Sequence, residues 1–285
     1  MRRQQTSLTA LGIAIARAVE SEKPEDERIC CDPYARRFVS GWMYRMMRFF
    51  IRSGYAEWRG PGVNSYLLAR DRYIDDVLGK ALGEGLEQLV ILGAGFDSRA
   101  YRFDLEGRVK TFEVDHPATQ KNKLRRLQLI LGQIPEHIRY VPIDFNIETL
   151  EGSLLGSGYD GARKTMFIWQ GVTMYLTPDA VDATLDFVVR HSAAGSAVVF
   201  DYVFRAVLEG AEKHSEISSM RRYRFMSGEG LTFGIAEGRI EDFLRARGFR
   251  AVKDVKSADL KAMYFIGKNS DRRIADGYGI ATGMV

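Results

Sequence analysis

Short apolar segments alternate with helix-forming segments from residue 86 onward, and this alternation restricts the possible folds more than any other feature of the chain. Helical patterns occupy residues 116–131 and 178–191, the second with Thr177 as a predicted N-cap and Pro178 at the first helical position. Strands that alternate with helices form a parallel sheet with helices on both faces. The sequence therefore predicts an α/β fold. The predicted strands are residues 89–92, 109–114, 140–143, 166–169 and 197–200.

The N-terminal part of the chain is predicted to be a helical cap on this sheet. Apolar residues repeat with helical spacing over residues 7–22 and again over residues 64–82. Between them, a stretch rich in methionine and aromatic residues after Asp32 and Pro33 predicts a further helix. Such a cluster is typical of core packing. It can also line an apolar ligand pocket, because methionine adapts to irregular shapes.

The C-terminal part of the chain departs from the alternation. Residues 205–235 form a polar segment rich in arginine and tyrosine, which we interpret as a lid inserted in the core. A helix is then predicted over residues 237–247, followed by two closing strands over residues 249–255 and 263–267. These elements complete the sheet in our prediction.

No repeat or linker divides the chain, so residues 1–285 are predicted to be one domain. Its N-terminal cap is residues 1–85. The core is residues 86–285 and carries the lid.

Composition and charge argue against several classes of function. The net charge is only +4, from 41 basic and 37 acidic residues, so nucleic-acid binding is not expected. The two cysteines, Cys30 and Cys31, are adjacent, which suits neither a zinc site nor a disulfide. No apolar run approaches the roughly 20 residues that span a bilayer. We therefore expect a cytoplasmic protein with no metal and no membrane partner.

A Gly-x-Gly turn directly follows the first predicted strand. Gly93, Ala94 and Gly95 stand at the carboxyl end of the apolar residues 89–92. Glycines at this point let a cofactor lie against the backbone. By itself the turn is equally compatible with a tight connection that binds nothing.

Asp97 distinguishes between the cofactors that such a turn could hold. A dinucleotide site requires a third glycine and a helix N-terminus that receives a pyrophosphate. A carboxylate beside a diphosphate costs about 1 kcal/mol even where solvent screens the charges. The same carboxylate is compatible with S-adenosylmethionine (AdoMet), which carries an ammonium group and a cationic sulfur. The sequence therefore favours AdoMet over NAD.

Acidic residues end the second and third predicted strands as well. Asp115 is the first choice for holding a ribose through its hydroxyl groups, and Glu113 is the second choice. Asp144 ends the third strand and is placed to accept a hydrogen bond from an adenine amino group. Each acid alone could be a solvated loop residue. Together they predict a nucleoside pocket.

The chain resembles the leucine carboxyl methyltransferase family, a class I group that uses AdoMet. It is most similar to the bacterial and polyketide-tailoring branches, which include enzymes of the tetracenomycin carboxyl methyltransferase type. The similarity covers nearly the whole chain, and the combination of motifs is specific although no single motif is. The motifs are Asp32-Pro33-Tyr34-Ala35, Ala69-Arg70-Asp71-Arg72-Tyr73, Leu92-Gly93-Ala94-Gly95-Phe96-Asp97-Ser98-Arg99, Phe112-Glu113-Val114-Asp115-His116-Pro117 and Ile168-Trp169-Gln170-Gly171.

The resemblance implies a class I methyltransferase fold with a Rossmann-like sheet and AdoMet as the cofactor, converted to S-adenosylhomocysteine. It implies that Arg70 pairs with the AdoMet carboxylate. Gly93 and Gly95 would lie under the methionine portion, and Asp115 would hold the ribose.

Further residues complete the implied cofactor site. Asp144 and the backbone of Phe145 would hold the adenine, and Ala94 and Asp97 belong to the predicted turn. Many family members have a glutamate before the glycine of the last motif, whereas this chain has Gln170. A neutral amide can form hydrogen bonds there but cannot balance a positive charge.

The predicted reaction is O-methylation of a carboxylate or phenolic hydroxyl on a small molecule, such as a polyketide or another secondary metabolite. A carboxylate is ionised at neutral pH and needs no base, whereas a phenol benefits from one. Of the four histidines, only His214 lies in the lid that is predicted to cover the active site, so it is the candidate base. The lid would bind the acceptor, unless its arginines are an ordinary solvated helix face. The predicted acceptor-binding residues are Tyr202, Arg221, Arg222, Tyr223 and Arg224.

Two other hypotheses remain open at this point. The wider family includes methyltransferases of protein C-termini and of modified tRNA bases. Alternatively, the chain is a non-catalytic AdoMet-binding module in which Gln170 marks lost activity. The sequence is compatible with a monomer or a homodimer.

Overall fold

The computed structural model describes residues 8–145, 148–209 and 230–285. Its N-terminal part is helical, which confirms the helices predicted over residues 7–22 and 64–82. A short 3₁₀ turn, Ala35–Phe38, precedes the second helix. The four helices of the cap are α1 (Leu8–Ser21), α2 (Gly41–Arg52), α3 (Tyr55–Arg59) and α4 (Val63–Gly83).

The Met- and aromatic-rich stretch of the cap is divided rather than one helix. The Asp32 carboxylate accepts hydrogen bonds from the backbone N–H groups of Tyr34 and Ala35, both at 3.0 Å, and so holds the 3₁₀ turn. Ser40 is extended, with φ −62° and ψ 145°, and α2 begins after it. The second half of the stretch, α2, therefore lies in a new direction.

The sheet of the described residues has seven strands in the order β3-β2-β1-β4-β5-β7-β6. Strands β1 to β5 are parallel, and β7 runs antiparallel between β5 and β6. The architecture is the α/β methyltransferase fold that the sequence predicted. The strands are β1 (Gln88–Leu92), β2 (Lys110–Asp115), β3 (Ile138–Pro142), β4 (Thr165–Trp169), β5 (Ala197–Val203), β6 (Ala251–Lys256) and β7 (Tyr278–Met284).

Helices cover both faces of this sheet. The Thr177 side chain accepts a hydrogen bond from the backbone of Ala180, which confirms the predicted N-cap. The helices after the cap are α5 (Arg99–Arg102), α6 (Pro117–Leu131), α7 (Leu150–Gly156), α8 (Pro178–Arg190), α9 (Arg205–Glu209), α10 (Ile240–Arg245) and α11 (Ser257–Tyr264).

The predicted closing strand over residues 263–267 is wrong. Helix α11 continues to Tyr264, and the last strand of the sheet is β7. The Asp259 carboxylate accepts a hydrogen bond from the Lys256 backbone N–H at 2.8 Å, which favours a helix start at this point. Two glycines interrupt the apolar pattern of strand β7. A Cβ atom at Gly279 would lie 2.6 Å from the Tyr202 ring, and one at Gly283 would lie 2.8 Å from the Phe249 ring.

The strand order places a binding crevice at one edge of the sheet. Strand β1 lies between β2 and β4, so the chain reverses its direction of progress across the sheet at β1. Ligands of open α/β sheets bind outside the carboxyl ends of the strands at such a point. In the described part of the chain, no helix is both long enough and apolar enough to cross a bilayer.

Candidate active site

A cleft of about 390 Å³ lies at the carboxyl ends of the parallel strands. All of the predicted cofactor-binding residues line it, so the structure brings together what the sequence had placed in separate motifs. These residues are Arg70, Gly93, Ala94, Gly95, Asp97, Asp115, Asp144, Phe145 and Gln170.

The Gly-x-Gly turn forms the floor of this cleft. Gly93 has φ +65°, a left-handed conformation that favours glycine. A Cβ atom at this position would lie 2.3 Å from the Val172 side chain. Gly95 donates its backbone N–H to Asp115 Oδ2 at 2.6 Å. The turn therefore presents backbone rather than side chains to the cleft.

Asp115 is positioned to accept further hydrogen bonds. Its Oδ1 accepts the His116 backbone N–H at 2.7 Å, and its Oδ2 accepts that of Gly95. Each carboxylate oxygen can accept a second hydrogen bond, so the group has capacity for two hydroxyls. Burial raises the pKa of Asp115 above its usual value, and the two backbone donors oppose that rise.

Glu113, the second choice for the ribose, is already paired inside the protein. Its carboxylate lies 2.8 Å from Lys123 Nζ, and both side chains are 2% exposed. It does not line the cleft. Asp115 is therefore the acid of strand β2 that faces the cleft.

Among the described residues, only one of the three side-chain nitrogens of Arg70 has a hydrogen-bond partner. Its Nη1 donates to Asp201 Oδ2 at 2.5 Å, and Asp201 Oδ1 accepts the Gly171 backbone N–H, also at 2.5 Å. The Nε and Nη2 atoms of Arg70 are buried without a hydrogen-bond partner among the described residues. Buried charged donors are costly unless they are paired. Two donors of Arg70, which lines the cleft, therefore lack an acceptor among the described residues.

The Asp97 carboxylate is balanced by Arg99. It accepts hydrogen bonds from the Arg99 backbone N–H at 2.7 Å and from Arg99 Nη1. Although burial opposes ionisation, Arg99 and other nearby cations lower the pKa of Asp97 to about 2. The charge argument against a dinucleotide is therefore weaker than the sequence suggested. The brevity of α5, four residues, is a separate argument, because a pyrophosphate site uses the N-terminus of a longer helix.

Gln170 has a specific place in the charge network under the cleft. Its Oε1 accepts from Arg99 Nη1 at 2.9 Å, and its Nε2 donates to Asp71 Oδ1 at 3.1 Å. An amide can do both at once because it carries a donor and an acceptor. A glutamate at this position would lack the donor toward Asp71.

Several polar residues of the site are not among those predicted from the sequence. Arg17, on α1, donates to the Phe96 carbonyl oxygen at 2.7 Å and pairs with Asp71 at 3.3 Å, which fixes the cap to the Gly-x-Gly turn. Asp201 orients Arg70. Asp201 could have been found, because it is a carboxylate directly after the apolar residues 197–200. No pattern in the sequence indicates that Arg17 is buried.

A second cavity, of about 330 Å³ and mostly apolar, adjoins the cleft. Met47 and Ile51 of α2 line it, in line with the alternative that the Met- and aromatic-rich stretch borders a pocket. Core packing, the first interpretation of that stretch, is wrong for Trp42, Met46, Phe49 and Phe50, which are exposed. Arg59 also lines it, and so does Asn64. The two cavities share the lining residues Ile13, Arg70, Gly171 and Tyr175.

The prediction that Tyr202 lines the acceptor site is wrong. Its side chain is fully buried, and its hydroxyl donates to Asp254 Oδ1 at 2.9 Å. Side chains alternate along a strand, so Asp201 and Val203 face the apolar cavity while Tyr202 faces the opposite side of β5. The remaining predicted lid residues lie outside the described residues: His214, Arg221, Arg222, Tyr223 and Arg224.

Comparison with known proteins identifies the family of the chain. The leucine carboxyl methyltransferase family matches residues 10–189. The chain belongs to this family. It is therefore a methyltransferase, and the matched residues include the Gly-x-Gly turn and the acids at the ends of β2 and β3.

Relatives cover most of the chain. A Bacillus subtilis protein, named as an S-adenosyl-L-methionine-dependent methyltransferase, is 31% identical over 205 residues, covering 72% of this chain and 67% of the relative. A Mycobacterium bovis protein with the same description is 28% identical over 287 residues, covering 93% and 91%. A solved methyltransferase structure from Thermobifida fusca has a TM-score of 0.56 at 14% identity, covering 95% and 94%. This last likeness shows a shared fold.

Proposed function

We propose that this methyltransferase uses AdoMet to methylate the carboxylate of a small, largely apolar molecule, of the polyketide or secondary-metabolite kind. The observation that carries the proposal is the junction of the polar cleft and the apolar cavity at Arg70, Gly171 and Tyr175. A donor and an acceptor bound in adjoining cavities can be aligned for direct transfer. Alignment of this kind can lower a barrier by roughly 7–11 kcal/mol.

The residues of the cleft fit AdoMet. Arg70 has two buried donors without a partner among the described residues, which suits the carboxylate of an amino acid. The Asp115 carboxylate retains acceptor capacity for ribose hydroxyls, and the Gly-x-Gly turn lines the cleft with backbone that a ligand can contact. When bound, AdoMet supplies a methyl group on a cationic sulfur.

The residues that line the apolar cavity favour a carboxylate over a phenol as the acceptor. A carboxylate oxygen forms the new bond to the methyl carbon while the sulfur–carbon bond breaks, and no proton has to be removed. Arg59 lines the cavity and can attract an anion. None of the described residues that line the cavity is a histidine, and the Asp201 carboxylate is engaged by Arg70 and Gly171.

The experiment uses AdoMet labelled in its methyl group together with matched apolar carboxylic acids and phenols. Methyl esters release labelled methanol in alkali, whereas aryl methyl ethers do not. We expect alkali-labile label with the acids. Alkali-stable label alone would identify a phenol as the acceptor and overturn the carboxylate assignment. Label that stays on the cofactor with both sets and with metabolite extracts would contradict a catalytic role.

A further inference from the structure

The outer face of α2 and α3 carries a continuous exposed apolar surface, which we call the aromatic patch: Trp42, Met46, Phe49, Phe50, Tyr55 and Trp58. Trp42, Phe49 and Trp58 are 67%, 69% and 72% exposed. Six of the eleven large hydrophobic side chains exposed among the described residues fall in this patch, and the others are scattered. Contiguous patches of this kind mark interaction sites.

Ring contacts join four of the six patch residues, Phe49, Phe50, Tyr55 and Trp58, into one surface. The Phe49 and Phe50 ring centroids lie 5.9 Å apart, those of Phe50 and Tyr55 5.4 Å, and those of Tyr55 and Trp58 5.8 Å. On α2, the exposed Trp42, Phe49 and Met46 fall on one side of the helix. The opposite side contributes Met47 and Ile51 to the apolar cavity.

Arginines border the aromatic patch. Three arginines of α2 (45, 48 and 52) border the patch, whereas Arg59 lines the apolar cavity. Arg48 and Arg52 both pair with Glu22, at 2.7 Å and 3.0 Å. Arg45 is exposed and has no ion pair among the described residues. The patch therefore combines aromatic side chains with positive charge.

We propose that the aromatic patch binds an anionic lipid surface, with its rings at the headgroup level and its arginines on lipid phosphates. A helix with an apolar face, aromatic anchors and flanking arginines lies in the plane of a membrane interface without crossing the bilayer. This peripheral contact revises the expectation of no membrane partner, which rests on the lack of an apolar run long enough to span a bilayer. A symmetric dimer through the same patch would instead bring two sets of arginines together, which is unfavourable.

The aromatic patch lies close to the apolar cavity, so a lipid contact would bring the cavity near the bilayer. Helices α2 and α3 form a wall one helix thick, with the patch outside and Met47, Ile51 and Ala56 lining the cavity inside. A docked protein would hold this cavity against the bilayer, where amphiphilic carboxylic acids accumulate. That consequence rests on the proposed function, whereas the lipid contact does not.

Vesicle sedimentation tests the contact with the full-length protein. We expect it to sediment with vesicles that contain phosphatidylglycerol and much less with pure phosphatidylcholine. The double variant Phe49→Ser/Trp58→Ser should bind at least tenfold more weakly, since it removes two exposed rings. The matched control, Leu129→Ser/Ile266→Ser, removes two side chains that are 82% and 68% exposed elsewhere and should bind like the wild type.

Tryptophan fluorescence gives a second readout. Of the three tryptophans, Trp42 and Trp58 are exposed and Trp169 is fully buried. Anionic vesicles should shift the wild-type emission to shorter wavelength. The variant Trp42→Phe/Trp58→Phe, which keeps both rings apolar, should still sediment but lose the shift.

Three results would overturn the proposal. They are absence of binding to both kinds of vesicle, equal binding by the wild type and Phe49→Ser/Trp58→Ser, or a dimer in light scattering that this variant abolishes. The last would assign the patch to a second copy of the chain. Because vesicle binding requires neither AdoMet nor an acceptor, the lipid proposal can fail while methyl transfer stands, and the reverse.

Discussion

Arg70 Nη1 lies 2.5 Å from Asp201 Oδ2 at the boundary of the cleft and the apolar cavity, and the two side chains are only 2% and 1% exposed. The ion pair orients the guanidinium and balances its charge. It leaves the Nε and Nη2 donors without a partner among the described residues. One carboxylate of the protein and one of a ligand would complete the hydrogen bonding of Arg70.

Replacement of Gly93 tests the close approach at the turn. We expect Gly93→Ala to abolish AdoMet binding and to destabilise the fold by about 2–4 kcal/mol. The added methyl group would meet the stiff Val172 side chain at 2.3 Å and would also force alanine into a left-handed conformation. Calorimetric titration and urea unfolding measure the two effects.

Gly85→Ala is the matched control for this change. Gly85 has φ +80°, but a Cβ atom there would meet nothing within 4 Å. It should cost about 1 kcal/mol and leave AdoMet binding intact. Equal losses of stability and of AdoMet affinity in both alanine variants would show that the effect of Gly93→Ala comes from backbone conformation and not from the contact with Val172.

Gln170→Glu tests the place of the amide in the charge network. A carboxylate there would lie near Asp71 without a donor between them, so we expect a loss of about 1–3 kcal/mol in stability at pH 7. The loss should shrink near pH 5, because the introduced carboxyl group, once protonated, can donate to Asp71 again. Urea unfolding at both pH values measures it, with the exposed Gln133→Glu as the control. Unchanged stability of Gln170→Glu at pH 7 would refute this account of the amide.

The Asp97 carboxylate should make stability depend on acid pH. The pKa of Asp97 is lowered from 3.8 to about 2 in the folded state, although burial opposes this, because Arg99 and other cations favour the charged form. The stabilisation is therefore present above the unfolded pKa and is lost as pH falls toward about 2. Its size is about 2 kcal/mol.

Comparison of urea midpoints from about pH 5 to about pH 2 isolates this effect. Asp97→Asn should be less stable than the wild type at pH 5, and the difference should shrink toward pH 2. The comparison is needed because burial raises the pKa of Glu113 and Asp115, whose contributions have the opposite sign. A difference that stays constant with pH would contradict the charge pairing of Asp97.

Ala56→Phe tests the apolar cavity as the acceptor site. Ala56 lines only this cavity among the two described above, and a phenyl group would occupy part of its 330 Å³. We expect the acceptor KM to rise about tenfold or more while the Kd for AdoMet stays unchanged. The matched control is Ala183→Phe, on the exposed surface of α8. Unaltered kinetics in Ala56→Phe would place the acceptor elsewhere.

Much of the fold was predictable because its parallel strands are buried on both faces and therefore form nearly continuous apolar runs. Strand β7 has no such run. Its Gly279 is explained by the Tyr202 ring from the neighbouring strand, a contact between residues far apart in the chain. Local patterns do not encode such contacts, so the sequence predicts the last strand over residues 263–267, whereas the structure has it at Tyr278–Met284.

The candidate site was predictable where a residue follows a strand directly. Asp115 and the Gly-x-Gly turn meet this condition. Arg17 and Arg99 do not follow a strand directly. Arg17 pairs with Asp71, and Arg99 pairs with Asp71 and Asp75 of α4 in addition to the nearby Asp97. Tyr202 is predicted to bind the acceptor from its residue type alone. The alternation of side chains along β5 places its ring on the side of the sheet away from the apolar cavity.

Calorimetric titration of AdoMet into the wild type, Arg70→Lys and Arg72→Lys tests the central claim most directly. Lysine at position 70 keeps the charge and can pair with Asp201, but it lacks the planar set of donors that binds a second carboxylate. Arg72 lies on the same helix and forms an exposed ion pair with Asp76. We predict that the wild type and Arg72→Lys bind AdoMet equally and that Arg70→Lys binds at least tenfold more weakly. Absence of AdoMet binding to the wild type, or equal affinity in all three proteins, would contradict the account.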